Sequence, residues 1–406
     1  MKTKTPPSSM EQIKTANLHT VFSLILDNQP ISRAQITQLC DLTIVTVSNC
    51  ADYLLERKVI VETGTGQSKR GRPPILMQVN ERAGVLVGIF MEDAYGKLLV
   101  TDLNANRLEE HLLPCGSAEQ ERFFLLLEKK ITELEERYAS YPLGIIGVSL
   151  AHRGIFDHKR QAVISAIGHN VAWTTQEFAP RLQKAIKGYP LFTQSFRDAA
   201  TLGNLYYYQI DKSEIFASIY CSMGMAVGIY LGQYGNDANP ILSTWFAHTT
   251  INFNGRKCEC GKRGCLVQYA SPKALFHKLR PEEVYTKEGF DQILQAFHAQ
   301  DPTVISAVHE LTDYLAIGIV NLVNAYQPST ICISGLLASL IQDTQLNRIQ
   351  AYVQNNSAFY PRQEKPRIFC SELEDWSIPY GGIYLIRNHL IEILQGELGP
   401  GSVSHF

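Results

Sequence analysis

The chain has 406 residues, of which 45% are hydrophobic and 19% charged, and its formal net charge is −2. Such a balance excludes a disordered chain, leaves room for two or three domains with a large core, and by itself points to neither a nucleic-acid nor a membrane partner. No apolar signal core follows Met1, and no later run reaches the roughly 18 apolar residues of a membrane span, so a cytoplasmic chain without membrane insertion is expected.

Charge is divided unevenly along the chain. Residues 1–80 carry nine Lys/Arg against six Asp/Glu, a balance of +3, and the remainder carries 28 against 33, a balance of −5. The small excess of cations lies where a DNA contact could use it.

Within residues 11–27, Ile13, Ala16, Leu18, Val21, Phe22, Leu24 and Leu26 recur at helical spacing up to Asn28 and Pro30. Ser32 can cap a short helix over 33–40 and Thr43 a third over 44–58. Two apolar runs follow, 59–61 and 75–79, separated by a Gly/Thr/Ser-rich tip, which predicts a two-stranded wing. The whole, residues 1–80, reads as a winged helix-turn-helix for a double-stranded DNA operator. Its third helix would enter the major groove, with Thr46, Ser48 and Asn49 toward phosphates or base edges and Val45, Val47, Ala51 and Leu54 toward the core. Ser32, Arg33 and Thr43 join this candidate contact set. Lys69, Arg70 and Arg72, stiffened by Gly71, Pro73 and Pro74, suit the narrow minor groove. A solvated basic linker and a helix-turn-helix used only for packing are the alternative readings.

From Gly84 the pattern becomes strand, strand, helix, strand: runs at 85–90 and 97–103, a turn at 104–106, a helical stretch over 118–138 and a buried run at 144–150. A second such unit starts near Leu191 and residues 215–220, with another buried strand at 330–335. Two similar α/β halves are expected, 81–200 and 201–406, with a C-terminal helix that can pack back on the first. The triplet Tyr206, Tyr207 and Tyr208 and the nearby Phe196 read as packing residues rather than a ligand platform.

Cys258, Cys260 and Cys265 are spaced C-x-C-x4-C, and His248 lies ten residues upstream of the first. Three thiols and an imidazole are the donors of a closed tetrahedral Zn2+ site, leaving no open position for water, so the metal would be structural rather than catalytic. Gly261 and Gly264 would allow the loop to fold back on one ion. Reduced cysteines in a surface loop, and a His248 merely packed after Trp245, Phe246 and Ala247, are the competing readings. Cys40, Cys50, Cys115, Cys221, Cys332 and Cys370 are scattered singly, and the odd total of nine argues against a disulfide framework.

Taken in order, the helix-turn-helix pattern, the turn after Asp102, His248 with the cysteine loop, and the segment from Asn321 to Ile331 resemble the ROK family of repressors, open reading frames and sugar kinases, and its repressor branch in particular. The resemblance covers nearly the whole chain. It implies an actin-like ATPase (ribonuclease H-like) fold with a duplicated α/β core and a zinc loop over 248–265, and homodimers or tetramers built from them. It also implies control of carbohydrate genes, with a sugar, a sugar phosphate or a sugar-transport protein as input.

The chain departs from the kinase pattern of that family at its reactive positions. Where the kinases have a glycine-rich phosphate loop, this chain has Phe90, Met91, Glu92, Asp93 and Ala94; the second loop, at 222–228, keeps only Gly224 and Gly228. The sugar-orienting Asn-Asp pair falls on Ser195 and Phe196, and Asp198 would need a two-residue deletion to replace it. Trp245 and Val267 stand where glutamates that bind sugar hydroxyls are implied, which leaves His248 and Asn170 of the effector set. ATP use and sugar kinase activity are therefore not expected, and the chain is read as a regulator rather than an enzyme. His152, Arg153 and Gly154 replace a Pro-Gly turn and read as a surface turn or an anion contact.

Overall fold

A computed structural model describes residues 9–66, 73–91, 95–114, 120–152, 155–157, 162–164, 178–222, 224–235, 241–358, 365–399 and 401–405. Lys69, Arg70, Arg72, Glu92, Asp93, Ala94, Arg153, Gly154 and Asn170 lie outside the described residues.

The amino-terminal unit has the three helices and hairpin that the pattern predicts. Helix α1 (Met10–Asn28) starts at a capping box between Ser9 and Gln12 and buries Leu18, Val21, Phe22 and Ile25. After the short strand β1 (Ile31–Ser32), Ser32 caps α2 (Arg33–Leu39) and Thr43 caps α3 (Ile44–Glu56), each hydroxyl accepting from the amide three residues on. The strands β2 (Ile60–Thr65) and β3 (Ile75–Val79) form the hairpin, and β1 completes a sheet of order β1-β3-β2.

The first α/β half contains β4 (Val85–Met91), β5 (Tyr95–Thr101), β6 (Arg107–Pro114), α4 (Gln120–Arg137), β7 (Ile145–His152), the hairpin β8 (Ile155–Asp157) and β9 (Ala162–Ile164), α5 (Phe178–Ala185), β10 (Leu191–Ser195) and α6 (Phe196–Tyr207). The second contains β11 (Phe216–Cys221), β12 (Met225–Tyr230), β13 (Ile241–Thr244), α7 (Pro272–Leu279), α8 (Lys287–His298), α9 (Pro302–Tyr326), β14 (Thr330–Ser334), α10 (Asp343–Asn356) and β15 (Arg367–Cys370). Helices α11 (Ser377–Asn388) and α12 (Leu390–Gln395) and strand β16 (Val403–His405) follow.

The two sheets repeat one topology. The order β6-β5-β4-β7-β10 in the first matches β13-β12-β11-β14-β15 in the second: an antiparallel meander, then parallel strands beyond its first member. Only the first sheet is extended, by β16 parallel to β10. The chain thus returns to the first half at its end, and α11 lies against β4, β7 and α6. Glycines let α6 and α11 touch along their backbones, since a Cβ at Gly203 would stand 1.8 Å from the Ser377 carbonyl oxygen.

One hydrophobic cluster joins the amino-terminal unit to this return segment. Leu18, Phe22, Ile25, Val47 and Leu54 share a core with Leu99, Leu103 and Phe192 of the first half and with Ile383, Ile386, Leu390 and Ile391 of α11 and α12. The unit therefore docks by its own core rather than hanging from a linker.

One sequence expectation needs correction. The sequence pattern turns Val45 toward the core, but it is 66% exposed. It stands two residues from buried Val47, and at about 100° per residue that turns it to the opposite face. Among the described residues one helix, α9, is long and apolar enough by composition to cross a membrane. Here it is the core helix of the second half, with Val308, Leu315, Ile319 and Leu322 buried against neighbouring elements.

Candidate metal centre, interlobe cleft and nucleic-acid interface

The donors of His248, Cys258, Cys260 and Cys265 all lie within 4.8 Å of one another. Cys258 Sγ is 3.5 Å from His248 Nδ1, and Cys260 Sγ is 3.6 Å from Cys265 Sγ. A tetrahedron with Zn–S of about 2.3 Å and Zn–N of about 2.0 Å has edges of roughly 3.5–3.8 Å, so the four groups fit such an ion.

The loop is built to hold this spacing. Gly261 turns back at φ 85° while its amide donates to the Cys258 carbonyl, and the Cys258 amide donates to the Lys262 carbonyl. At Gly264, with φ 71°, a Cβ would stand 1.6 Å from the Asn252 carbonyl oxygen. Gln268 Nε2 donates to Cys258 Sγ at 3.5 Å, a support to a donor atom of the kind that orients metal ligands. Leu266, one residue past Cys265, is buried against Gly318 of α9, which anchors the loop to the core. Burial and the neighbouring thiols push the Cys265 thiol up to about 12, whereas burial, Lys262 and Arg197 lower the His248 imidazole. The imidazole is thus a ready neutral donor, and the Cys265 thiol needs a cation beside it to ionise.

Between the two halves, aromatic rings pack beside the two segments where the kinase pattern implies phosphate loops. Phe90 of β4 stacks on Phe196 at 6.4 Å, and Phe196 meets the Tyr220 ring edge-on at 5.8 Å. Below this stack, Asp375 accepts from Tyr220 Oη at 2.7 Å and Ser222 Oγ at 2.8 Å, both from the second half, and pairs with Lys97 of the first at 3.3 Å. Burial raises the Asp375 carboxyl, but Lys97 and the two hydroxyls outweigh it and keep the group ionised. No pattern in the sequence pointed to this network, whose ion pair joins residues 278 apart.

Asp198 is engaged by two serine hydroxyls. It sits in the first turn of α6, with one oxygen accepting from Ser195 Oγ at 2.7 Å and the other from Ser243 Oγ, and burial raises its carboxyl. The tyrosines pack as expected: Tyr206 stacks on Tyr384 at 4.6 Å and Tyr208 meets Phe369 at 4.9 Å.

In the amino-terminal unit, the predicted contact residues divide. Thr43 and Asn49 are exposed, and Thr46 and Ser48 are half-buried on the same helix. Ser32 is buried and spent on capping α2, while Arg33 pairs with Asp52 at 2.6 Å. The exposed set gains two apolar members, Ile44 and Val45, at the start of α3.

Comparison with known proteins agrees with this architecture. Residues 87–389 match the ROK family. The chain is 29% identical over 356 residues to the xylose repressor of Bacillus spizizenii, covering 86% of this chain and 89% of that one. A crystal structure of a ROK family transcriptional regulator, a homologue of the Escherichia coli Mlc protein, superposes with a TM-score of 0.74 at 21% identity over 94% of this chain and 98% of that one. The ROK hexokinase of Thermus thermophilus shares the α/β fold at a TM-score of 0.57 and 21% identity, over 78% of this chain and all of its own. With the family's residues running from β4 through α11 and both sheets in place, the chain belongs to the ROK family.

Proposed function

We propose that the chain is a DNA-binding transcriptional regulator, a repressor of carbohydrate uptake or metabolism genes, and that it has lost sugar kinase activity. The observation that carries this reading is the exposed amino-terminal turn of α3, where Thr43, Ile44, Val45 and Asn49 face outward beside a β hairpin. That is the surface a winged helix-turn-helix lays in the major groove, hydroxyls and amide toward base edges and aliphatic groups toward thymine methyls. Residues 1–80 are the DNA-binding unit, with Lys69, Arg70 and Arg72 in the wing, and 81–200 and 201–406 are the two ROK halves. The names of the relatives, xylose repressor among them, support the carbohydrate assignment.

Loss of phosphoryl transfer is supported by the packed cleft. Phe90, Phe196 and Tyr220 occupy it with aromatic rings and supply no group to accept a proton from a sugar hydroxyl. The His248, Cys258, Cys260 and Cys265 site holds a structural Zn2+, and the working form is a homodimer that reads a two-fold operator.

The test is to mix zinc-loaded protein with sheared genomic DNA from its host and sequence what is retained. Enrichment of two-fold sites with half-sites about one helical turn or a multiple apart supports the reading. Retention no greater than that of a variant lacking Arg70 and Arg72 counts against it. Release of ADP in a coupled assay with common hexoses would instead favour a kinase.

A further inference from the structure

The three thiols of the metal loop differ in how far solvent reaches them. Cys258 and Cys265 are buried, whereas Cys260 is half-buried. The Cys258 sulfur is also engaged, at 3.5 Å from both His248 Nδ1 and Gln268 Nε2. Cys260 faces a different neighbour, the Cys265 sulfur 3.6 Å away. The antiparallel pairing of Lys257 with Arg263 holds the two arms of the loop side by side, and Gly261, at φ 85°, lets the chain turn between them.

The surroundings of Cys260 are electropositive. Arg256, Lys257, Lys262 and Arg263 are exposed around it, against one carboxylate in that stretch, Glu259, which pairs with Lys273. A partly exposed sulfur among cations is the setting in which thiolates meet oxidants, and a second sulfur beside it can close a disulfide. With Zn2+ bound, both sulfurs are held as thiolates.

We infer that Cys260 and Cys265 form a reversible oxidation site for hydroperoxides, Cys260 reacting first, and that the disulfide empties the metal site and weakens operator binding. The Cys260 thiolate attacks a peroxide oxygen; the O–O bond breaks, hydroxide leaves, and a sulfenic acid remains. The Cys265 thiolate then displaces a second hydroxide from that sulfur as the S–S bond forms. Two thiolates lose two electrons and hydrogen peroxide gains them, leaving one disulfide and two hydroxide ions. His248 and Cys258 are then the remaining donors, too few for a closed tetrahedral site. Leu266, directly after Cys265 and buried against Gly318 of α9, carries the change into the core of the second half. The consequence for DNA rests on the regulator reading; the oxidation chemistry does not.

Full-length, zinc-loaded protein should be treated with hydrogen peroxide while zinc release is followed with a chromogenic chelator, thiols are counted and tryptic peptides are mapped. Trypsin cuts after Lys257, Lys262, Arg263 and Lys273, so a bridge from Cys260 to Cys265 joins two otherwise separate peptides, and fragmentation tells Cys260 from Cys258. About two thiols should disappear for each zinc released, and dithiothreitol with added zinc should restore both. Cys260→Asp, which keeps an anionic donor at that position, should release zinc at least roughly tenfold more slowly. If that variant does not hold zinc, the peptide map of the wild type decides. Zinc retained while Cys40 and Cys370 are oxidised, a bridge through Cys258 instead of Cys260, or zinc lost with Cys260 still reduced each overturns the inference. DNA retention on the same samples should fall on oxidation and recover on reduction; a fully bridged protein that retains DNA as well as the reduced one overturns the link to the operator. A reduced protein that retains no DNA removes the regulator reading alone, since bridge and zinc are read without it.

Discussion

His19 of α1 meets Glu392 of α12 at 2.9 Å, so the first helix of the chain is hydrogen-bonded to the last. Gln395 accepts from Thr15 at 2.9 Å on the same seam, and Gln29 Nε2 donates to Asn104 Oδ1 at 2.9 Å beside the first sheet. Because α12 follows α11, which begins beside Asp375, a continuous packed path runs from the interlobe network to the amino-terminal unit.

Glu392→Gln is expected to destabilise that seam by about 1 kcal/mol or less, since both side chains are partly exposed. Burial raises the Glu392 carboxyl, but the His19 hydrogen bond and the neighbouring imidazoles hold it below its ordinary 4.5. A depressed carboxylate contributes stability above 4.5 that is lost as pH falls through the folded value. The difference in urea stability between wild type and variant should therefore shrink below that pH. A difference that stays constant into acid would remove the pair from the account.

Cys260→Ser should release the metal and lower both thermal stability and operator affinity. The ligand loop is tied to α9 through Leu266, and a structural zinc contributes its binding energy to folding. Metal analysis is expected to fall from one zinc per chain in wild type toward none. Loss of the metal with no change in melting temperature would mean the loop holds its shape unaided.

What the sequence made legible is what is local. Ser32 and Thr43 announce helix starts by residue type and position, and both cap as read. The four metal donors fall within eighteen residues, so their spacing could be judged without the fold. Val45 is apolar but lies about 200° around α3 from buried Val47, so residue type alone does not fix its face. The Lys97 and Asp375 pair was invisible for a different reason: each residue alone looks like a surface charge, and only the return of the chain after β15 brings them together.

The Lys97 and Asp375 pair leads to a sharper test of how the halves are joined. The two side chains are only 9% and 10% exposed. Removing one partner leaves a buried charge, so Lys97→Met or Asp375→Asn is expected to cost about 3–5 kcal/mol. The double variant Lys97→Met, Asp375→Asn should cost clearly less than the sum. Urea titration of the four proteins gives the coupling directly, and additive losses would show that the two groups act separately.

Val45→Asp addresses the proposed DNA surface. At 66% exposure the change should alter stability by no more than about 0.5 kcal/mol, because no buried contact is lost. A carboxylate there faces the phosphates at the edge of the groove and removes an aliphatic contact to bases, so operator affinity should drop at least roughly tenfold. Asn49→Ala, one helical turn on, should instead relax discrimination at a single base pair, by about 1–3 kcal/mol if the amide reads an adenine. Fluorescence anisotropy on the retained operator and on point-mutated versions measures both effects. Unchanged affinity in Val45→Asp would move the DNA contact away from α3, and with it the reading of residues 1–80.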